Sequence, residues 1–214
     1  MKITSLLLLA FLLIQIPAKP QEDWNLKKDK NGIKVFSRKI KDHKLDELKV
    51  ECIINGRLSQ LAAVLFDVNN QYQWVYKTSK SQLLKAISPT DVFFYSEIEC
   101  PWPFDNRDLV IHMNMTQRPA DKVMTIEAKS VNNYLPEKNK LVRIKYSNAT
   151  WIITPINSKQ FKIDYRIQID LGDGVPGWLV NLFSVNGPYE SFSNLKEKIK
   201  LPQYANVKFP LLVD

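Results

Sequence analysis

From residue 160 to residue 171 the side chains alternate without a slip. Phe161, Ile163, Tyr165, Ile167 and Ile169 fall on one side, and Lys162, Asp164, Arg166, Gln168 and Asp170 on the other. A period of two marks a strand with one face buried and one in water. The pattern recurs along most of the chain. Leu48, Val50, Cys52 and Ile54 share a face over residues 46–54, and Val92, Phe94, Ile98 and Cys100 share one over residues 90–100. Leu109, Ile111, Met113 and Met115 alternate with Val110, His112, Asn114 and Thr116, while Met124, Ile126 and Ala128 line up within residues 122–130. Residues 32–40 read as a strand behind an Asn31-Gly32 turn, and residues 141–154 as a less regular one with a bulge near Ser147-Asn148. So many alternating runs predict an antiparallel sheet, wet on one face and buried on the other.

Helical spacing interrupts the strands twice. Leu58, Leu61, Ala62, Leu65 and Phe66 predict a helix over residues 58–66, followed by a short helical or irregular piece over 69–76 that carries Trp74. Near the end, Trp178, Leu179, Leu182 and Phe183 form one apolar stripe, and Tyr189, Phe192, Leu195 and Ile199 a second. Gly187-Pro188 lies between them and is expected to kink or break the helix.

The chain has 214 residues, 45% of them hydrophobic, with no Ser/Gly tract, long charge block or internal repeat, which predicts one domain. Lys2 followed by an unbroken apolar run over residues 6–14 reads as a signal peptide, residues 1–18, with cleavage near Pro17-Ala18 and export to a periplasmic or extracellular space. Nine residues are too few to span a bilayer, which takes about 20 in a helix. The formal charge is +8, with cations crowded early at Lys27, Lys28, Lys30, Lys34, Arg38, Lys39, Lys41 and Lys44. Such a face suits either plain solvation or transient contact with anionic headgroups. Aromatic residues at core spacings and the lack of a recognised module argue against nucleic acid. Cys52 and Cys100, with only His43 and His112 beside them, make a metal site improbable, and no cofactor is expected. A free buried thiol is the expected state of the cysteines, a disulfide the alternative in an oxidising compartment.

Two runs stand apart from the pattern. Pro101-Trp-Pro-Phe-Asp-Asn-Arg-Asp108 sits between two strands, and its prolines force one defined turn. Trp102 reads as a core wedge there, and Arg107-Asp108 as a structural ion pair or a headgroup anchor. About seventy residues later, Gly172-Asp-Gly-Val-Pro-Gly-Trp-Leu-Val-Asn181 leads into the last helix. These runs, with Trp24, Gly32-Ile-Lys-Val35, Leu141-Val-Arg143, Trp151 and Pro155, resemble the START (StAR-related lipid transfer) domain family in their order. The resemblance covers residues 24–200 and leaves 201–214 as an extension. It implies an α+β helix-grip fold: a curved antiparallel sheet wrapped around a long C-terminal helix, enclosing an apolar tunnel.

The function so implied is non-enzymatic binding, with transfer, of a lipid or other hydrophobic small molecule by a monomer. The tunnel would be lined by Ile98, Leu109, Ile111, Met113, Ile126, Tyr165, Ile167, Trp178, Leu182 and Phe183, holding its ligand by buried area at about 0.8 kcal/mol per methylene. Sterol-binding family members carry a buried arginine a few residues beyond the Arg-Asp of the central motif. Met113 stands at about that place, which argues against a sterol recognised in that way. Two alternatives stay open. An enzyme of the wider helix-grip superfamily would use an inward polar group, Tyr165 or Ser96. A solid structural domain would fill its centre with Met113, Met115 and Met124. In the binding reading, residues 176–185 form a candidate lid, freed by Gly172, Gly174, Gly177 and the Gly187-Pro188 break.

Overall fold

The computed structural model describes residues 24–40, 46–172 and 175–214. The signal peptide reading, Lys41, Lys44 and Gly174 lie outside them. Strands β1 (Asn25–Lys30), β2 (Ile33–Arg38), β3 (Glu47–Asn55), β4 (Thr78–Ser88), β5 (Asp91–Ile98), β6 (Asn106–Gln117), β7 (Met124–Ser130), β8 (Leu141–Arg143), β9 (Ser147–Asn157) and β10 (Gln160–Ile169) form one sheet. Its order is β1-β2-β3-β10-β9-β7-β6-β5-β4, with β8 added parallel to β6. Helix α1 (Leu58–Phe66) and a 3-10 turn over Val68–Gln73 cross from β3 to β4. The chain closes with α2 (Gly177–Asn181), a π-turn (Leu182–Asn186), α3 (Gly187–Lys198) and α4 (Pro202–Ala205). The β1–β2 hairpin turns on Asn31 (φ 53°) and Gly32 (φ 66°). Both central residues of a two-residue turn that matches strand twist need positive φ, and Asn-Gly is the pair that adopts it most cheaply.

The sheet curves around α3. Phe192, Leu195 and Ile199 are buried against Val50, Cys52, Trp151 and Ile163 of the concave face in one core cluster. The inward rows are those the alternation predicts: Leu48 to Ile54 on β3, Leu109, Met113 and Met115 on β6, and Phe161 and Ile163 on β10 are all buried. This is the helix-grip architecture, α+β.

Several expectations are corrected. The last helix does not break at Gly187-Pro188. Pro188 has no N–H to give, and its ring would crowd the carbonyl of Ser184 in an α-helix. Residues 182–186 widen instead into a π-turn, in which Gly187 N–H donates to Leu182 O, so the helix runs on. Gly187 serves close packing: a Cβ there would come within 3.3 Å of Tyr76 Cδ1. The strand expected over 141–154 is two, β8 beside β6 and β9 beside β7 and β10, with a crossing between them rather than a bulge.

Nor is the outer face wet throughout. Residues 131–146 fold across it, so Tyr95, Asp108, Val110 and Arg143 are buried there. Arg107 and Asp108, adjacent on a strand, point to opposite faces and do not pair. Arg107 Nε donates to Leu171 O at 3.2 Å, whereas Asp108 accepts two hydrogen bonds from Arg143, at 2.8 and 3.1 Å. Trp102 is no core wedge: it is 92% exposed, thrown outward by a turn whose Trp102–Pro103 bond is cis.

Residues 201–214, set apart above as an extension, pack back on the domain. Tyr204 is buried with its hydroxyl donating to Asp67 at 2.7 Å, Phe209 lies 5.5 Å from Phe66, and Asp214 accepts from Arg57 and Ser59 N, each at 2.7 Å. The early cations are mostly engaged: Lys39 pairs with Asp46 at 2.6 Å, Arg38 with Glu47 at 2.6 Å, and Lys28 lies over the Tyr189 ring at 4.0 Å.

Candidate functional site

Between the sheet and α3 the core is hollow at one end and solid at the other. The reason is visible in the cross-strand pairs of β7 and β9. Met124 faces Ile153 and Ile126 faces Trp151, but the next inward pair is Ala128 with Ala149, and Ser147 follows on β9. Large pairs fill their end of the sheet. Small ones leave an inner chamber of about 210 Å³, walled by Phe94 and Ile98 of β5, Leu109, Ile111 and Met113 of β6, and Tyr165 and Ile167 of β10. A middle chamber of about 170 Å³ shares Trp74, Val75, Ile98, Trp151, Tyr165, Ile167 and Ile169 with it and reaches Phe183, Pro188 and Phe192 of the last helix. An outer one of about 280 Å³ shares Leu48, Ile169, Leu171 and Phe183 with the middle chamber and ends at Lys39, Asp46 and Asp170. The three adjoin in a row, from a charged rim to an apolar interior.

Among the described residues, the inner and middle chambers are lined by no Asp, Glu, His, Lys or Arg. Their ionisable groups are the phenols of Tyr76 and Tyr165, and burial raises the pKa of both. The Tyr165 hydroxyl has no hydrogen-bond partner among the described residues, and its ring packs on Trp151 at 4.5 Å and Phe192 at 5.4 Å. Among the described residues no three His, Cys, Asp or Glu side chains gather as metal ligands would. The arrangement is built to exclude water and hold hydrocarbon.

The START domain sequence profile matches residues 12–200. The chain belongs to the START domain family. A STAR-related lipid transfer protein fragment from Xanthomonas axonopodis superposes with a TM-score of 0.76 at 30% identity, covering 83% of this chain and 99% of that one. Phosphatidylcholine transfer protein from Mus musculus is 26% identical over 81% of this chain and 82% of its own length. A Pseudomonas aeruginosa protein described as uncharacterized is 29% identical over 82% of this chain and 86% of its own.

Within this START domain, Ile98, Leu109, Ile111, Met113, Tyr165 and Ile167 stand on the inner chamber wall, and Phe183 on the middle and outer ones. Ile126, Trp178 and Leu182 do not line these chambers. Ile126 is fully buried in the solid end opposite Trp151, and Trp178 is 52% exposed, its ring edge-on to Phe104 at 5.9 Å. Leu182 sits half-buried at the start of the π-turn, off the chamber wall that its neighbour Phe183 reaches as expected. Met115 and Met124 do fill the solid end, but Met113 borders open space. Sequence reasoning missed Gln71, Trp74, Val75 and Thr78, which wall the inner chamber from the helix side. Their segment is irregular, so no period points them inward. The small residues Ala128, Ser147 and Ala149, on an otherwise bulky inward face, were the available signal for a hollow.

The cysteines are free, and four strands stand between β3 and β5 in the sheet. Burial pushes the Cys52 thiol up to about 12. Burial raises the Cys100 thiol too, but Arg107 beside it works the other way and the side chain is only half-buried. Iodoacetamide at about pH 8 should therefore modify Cys100 first and leave Cys52 intact until the chain is unfolded, the thiolate being the reactive form. Peptide mass mapping reads this out. Cys52 labelled in the folded protein would mean that β3 opens.

Proposed function

We propose that this START domain binds a lipid or other hydrophobic small molecule in the apolar chambers and ferries it between membrane surfaces as an exported monomer, without chemistry upon it. The observation that carries this reading is the row of adjoining chambers, the inner two of which have no charged side chain on their walls among the described residues. Together the chambers reach the range of small-molecule pockets, about 300–1,000 Å³. The lipid-transfer names of its relatives point the same way. Export is supported by the apolar run over residues 6–14 behind Lys2. A chain beginning near Lys19 in the extracytoplasmic fraction is the expected result of N-terminal sequencing. Native mass spectrometry and lipid extraction of the purified protein test the binding itself. If no lipid accompanies it and none is taken up from a broad panel, the proposal fails.

Membrane contact has a surface suited to it. Trp102 and Trp178 are both exposed, Trp178 packs on Phe104 of the turn that carries Trp102, and Val180 on the last helix is exposed and borders the outer chamber. Tryptophan favours the headgroup level of a bilayer. The double variant Trp102→Ser, Trp178→Ser should bind phosphatidylcholine/phosphatidylglycerol vesicles at least about tenfold more weakly, since burying one large apolar side chain gives about 1.5–3 kcal/mol. Vesicle sedimentation measures this. Equal partitioning of variant and parent would remove this surface from the mechanism.

A further inference from the structure

Two buried polar atoms in the described structure stand without a hydrogen-bond partner at the same place. Trp74 Nε1 and Thr78 Oγ1 are both orphaned, and both residues are more than nine-tenths buried. Both also line the inner chamber. Trp74 lies on the irregular link between α1 and β4 and Thr78 opens β4, held in place by Trp74 N donating to Gln71 O at 3.1 Å and Thr78 N to Val75 O at 3.2 Å. Nearby, Gln71 turns its amide to Leu65 O at 3.0 Å. Buried polar groups are almost always paired, so two orphans on one cavity wall point to a missing partner in the cavity.

The chemistry of the two groups defines that partner. An indole N–H donates and cannot accept, and a threonine hydroxyl does either. The matching group is an oxygen acceptor. The same wall also decides its charge. Among the described residues no Lys, Arg, Asp or Glu lines the inner or middle chamber, so an ionised headgroup would lie there without a counter-ion from them, at a prohibitive desolvation cost. We infer that the inner chamber receives an uncharged oxygen of the ligand, a carbonyl, ester, ether or hydroxyl oxygen, bound by Trp74 and Thr78. The ligand is then a neutral lipid, or an amphiphile whose charged end stays at the rim beside Lys39, Asp46 and Asp170. This rests on the reading of the chambers as a ligand site.

The test uses the full chain and three probes of one hydrocarbon length: 2-hexadecanone, hexadecane and palmitate. Uptake is read by native mass spectrometry, and the polar contact by the nitrogen-15 indole signal of Trp74, assigned from the Trp74→Phe spectrum. The ketone should move that signal downfield, and hexadecane should not. Palmitate, ionised at about pH 8, should leave it where hexadecane does. Thr78→Val, nearly isosteric, should weaken the ketone by about three- to tenfold relative to hexadecane. Bound ketone with an unmoved Trp74 signal overturns the polar contact while leaving the tunnel reading intact. A palmitate shift equal to the ketone's overturns the restriction to neutral groups. Failure of all three probes to bind overturns the tunnel reading, and this inference with it.

Discussion

Replacing Asp108 with Asn should lower the stability of this START domain by about 3–5 kcal/mol, more than any surface change. Asp108 is fully buried and accepts two hydrogen bonds from the equally buried Arg143. Arg143 also donates to Leu135 O at 3.0 Å and Pro136 O at 3.2 Å, and the Tyr95 hydroxyl lies 2.9 Å from Asp108 Oδ2. The variant would leave a guanidinium charge in place with no carboxylate to balance it. For a domain of this size the loss corresponds to a fall in Tm of about 6–20 °C. The pH dependence has a definite sign. Burial alone would raise the Asp108 pKa, but the hydrogen bonds from Arg143 and Tyr95 overcome it and hold the carboxyl below its ordinary value. A depressed folded pKa gives stability that is present above the unfolded value of about 3.9 and lost as the pH falls from there through the folded pKa. Asp108→Asn should therefore show a flatter acid limb than the parent in calorimetry. A Tm within a degree of the parent's would mean that the pair contributes nothing net.

Met113→Arg should be nearly as damaging, and it reports on the cavity as well. Met113 is buried on the inner chamber wall, facing Val92 on one neighbouring strand and Ala128 on the other. A guanidinium there meets no acid, and an unpaired buried ion typically costs several kcal/mol. Met113→Leu, which keeps volume and polarity, should cost less than about 1.5 kcal/mol. Chemical denaturation separates the two variants, and lipid uptake should vanish in the first and persist in the second. An Arg variant as stable as its parent would show that water reaches the inner chamber.

How much of this was legible in the sequence depended on whether an element keeps one period. Strand β10 does, and its inward row of Phe161 to Ile169 was read correctly side chain by side chain. Strand β4 does not. Its pairing with β5 slips at three places, between Thr78 and Lys80, Leu83 and Lys85, and Ala86 and Ser88. Each slip shifts the parity, so no alternating row survives in the sequence. The same loss hid Thr78, and the irregular link before β4 hid Trp74. The residues at the last helix failed for another reason. Trp178 and Leu182 were placed by 3.6-residue spacing, which says which residues share a face but not where that face points: Trp178 turns out to Phe104, and only Phe183 reaches the chamber wall. Trp102 was misread because sequence gives hydrophobicity but not the direction in which a proline-bounded turn points. Its exposure was visible only in three dimensions.

The pairing of β3 with β10 has a consequence for how the chain is made. Asn55 and Gln160, which end and begin these strands side by side, are 105 residues apart. At about 5–20 residues per second of synthesis, the free edge of β3 waits about 5–20 s on the ribosome for its partner. During that interval the first three strands form a meander with one bare, hydrogen-bonding border and an apolar face that neither β10 nor α3 yet covers. Such a border invites pairing with another nascent chain. The yield of this protein should therefore be limited by the wait rather than by the strength of the finished fold. Synonymous slow codons placed between β3 and β10 should lower the soluble yield, read by fractionation of the lysate, without changing the stability of the protein that folds.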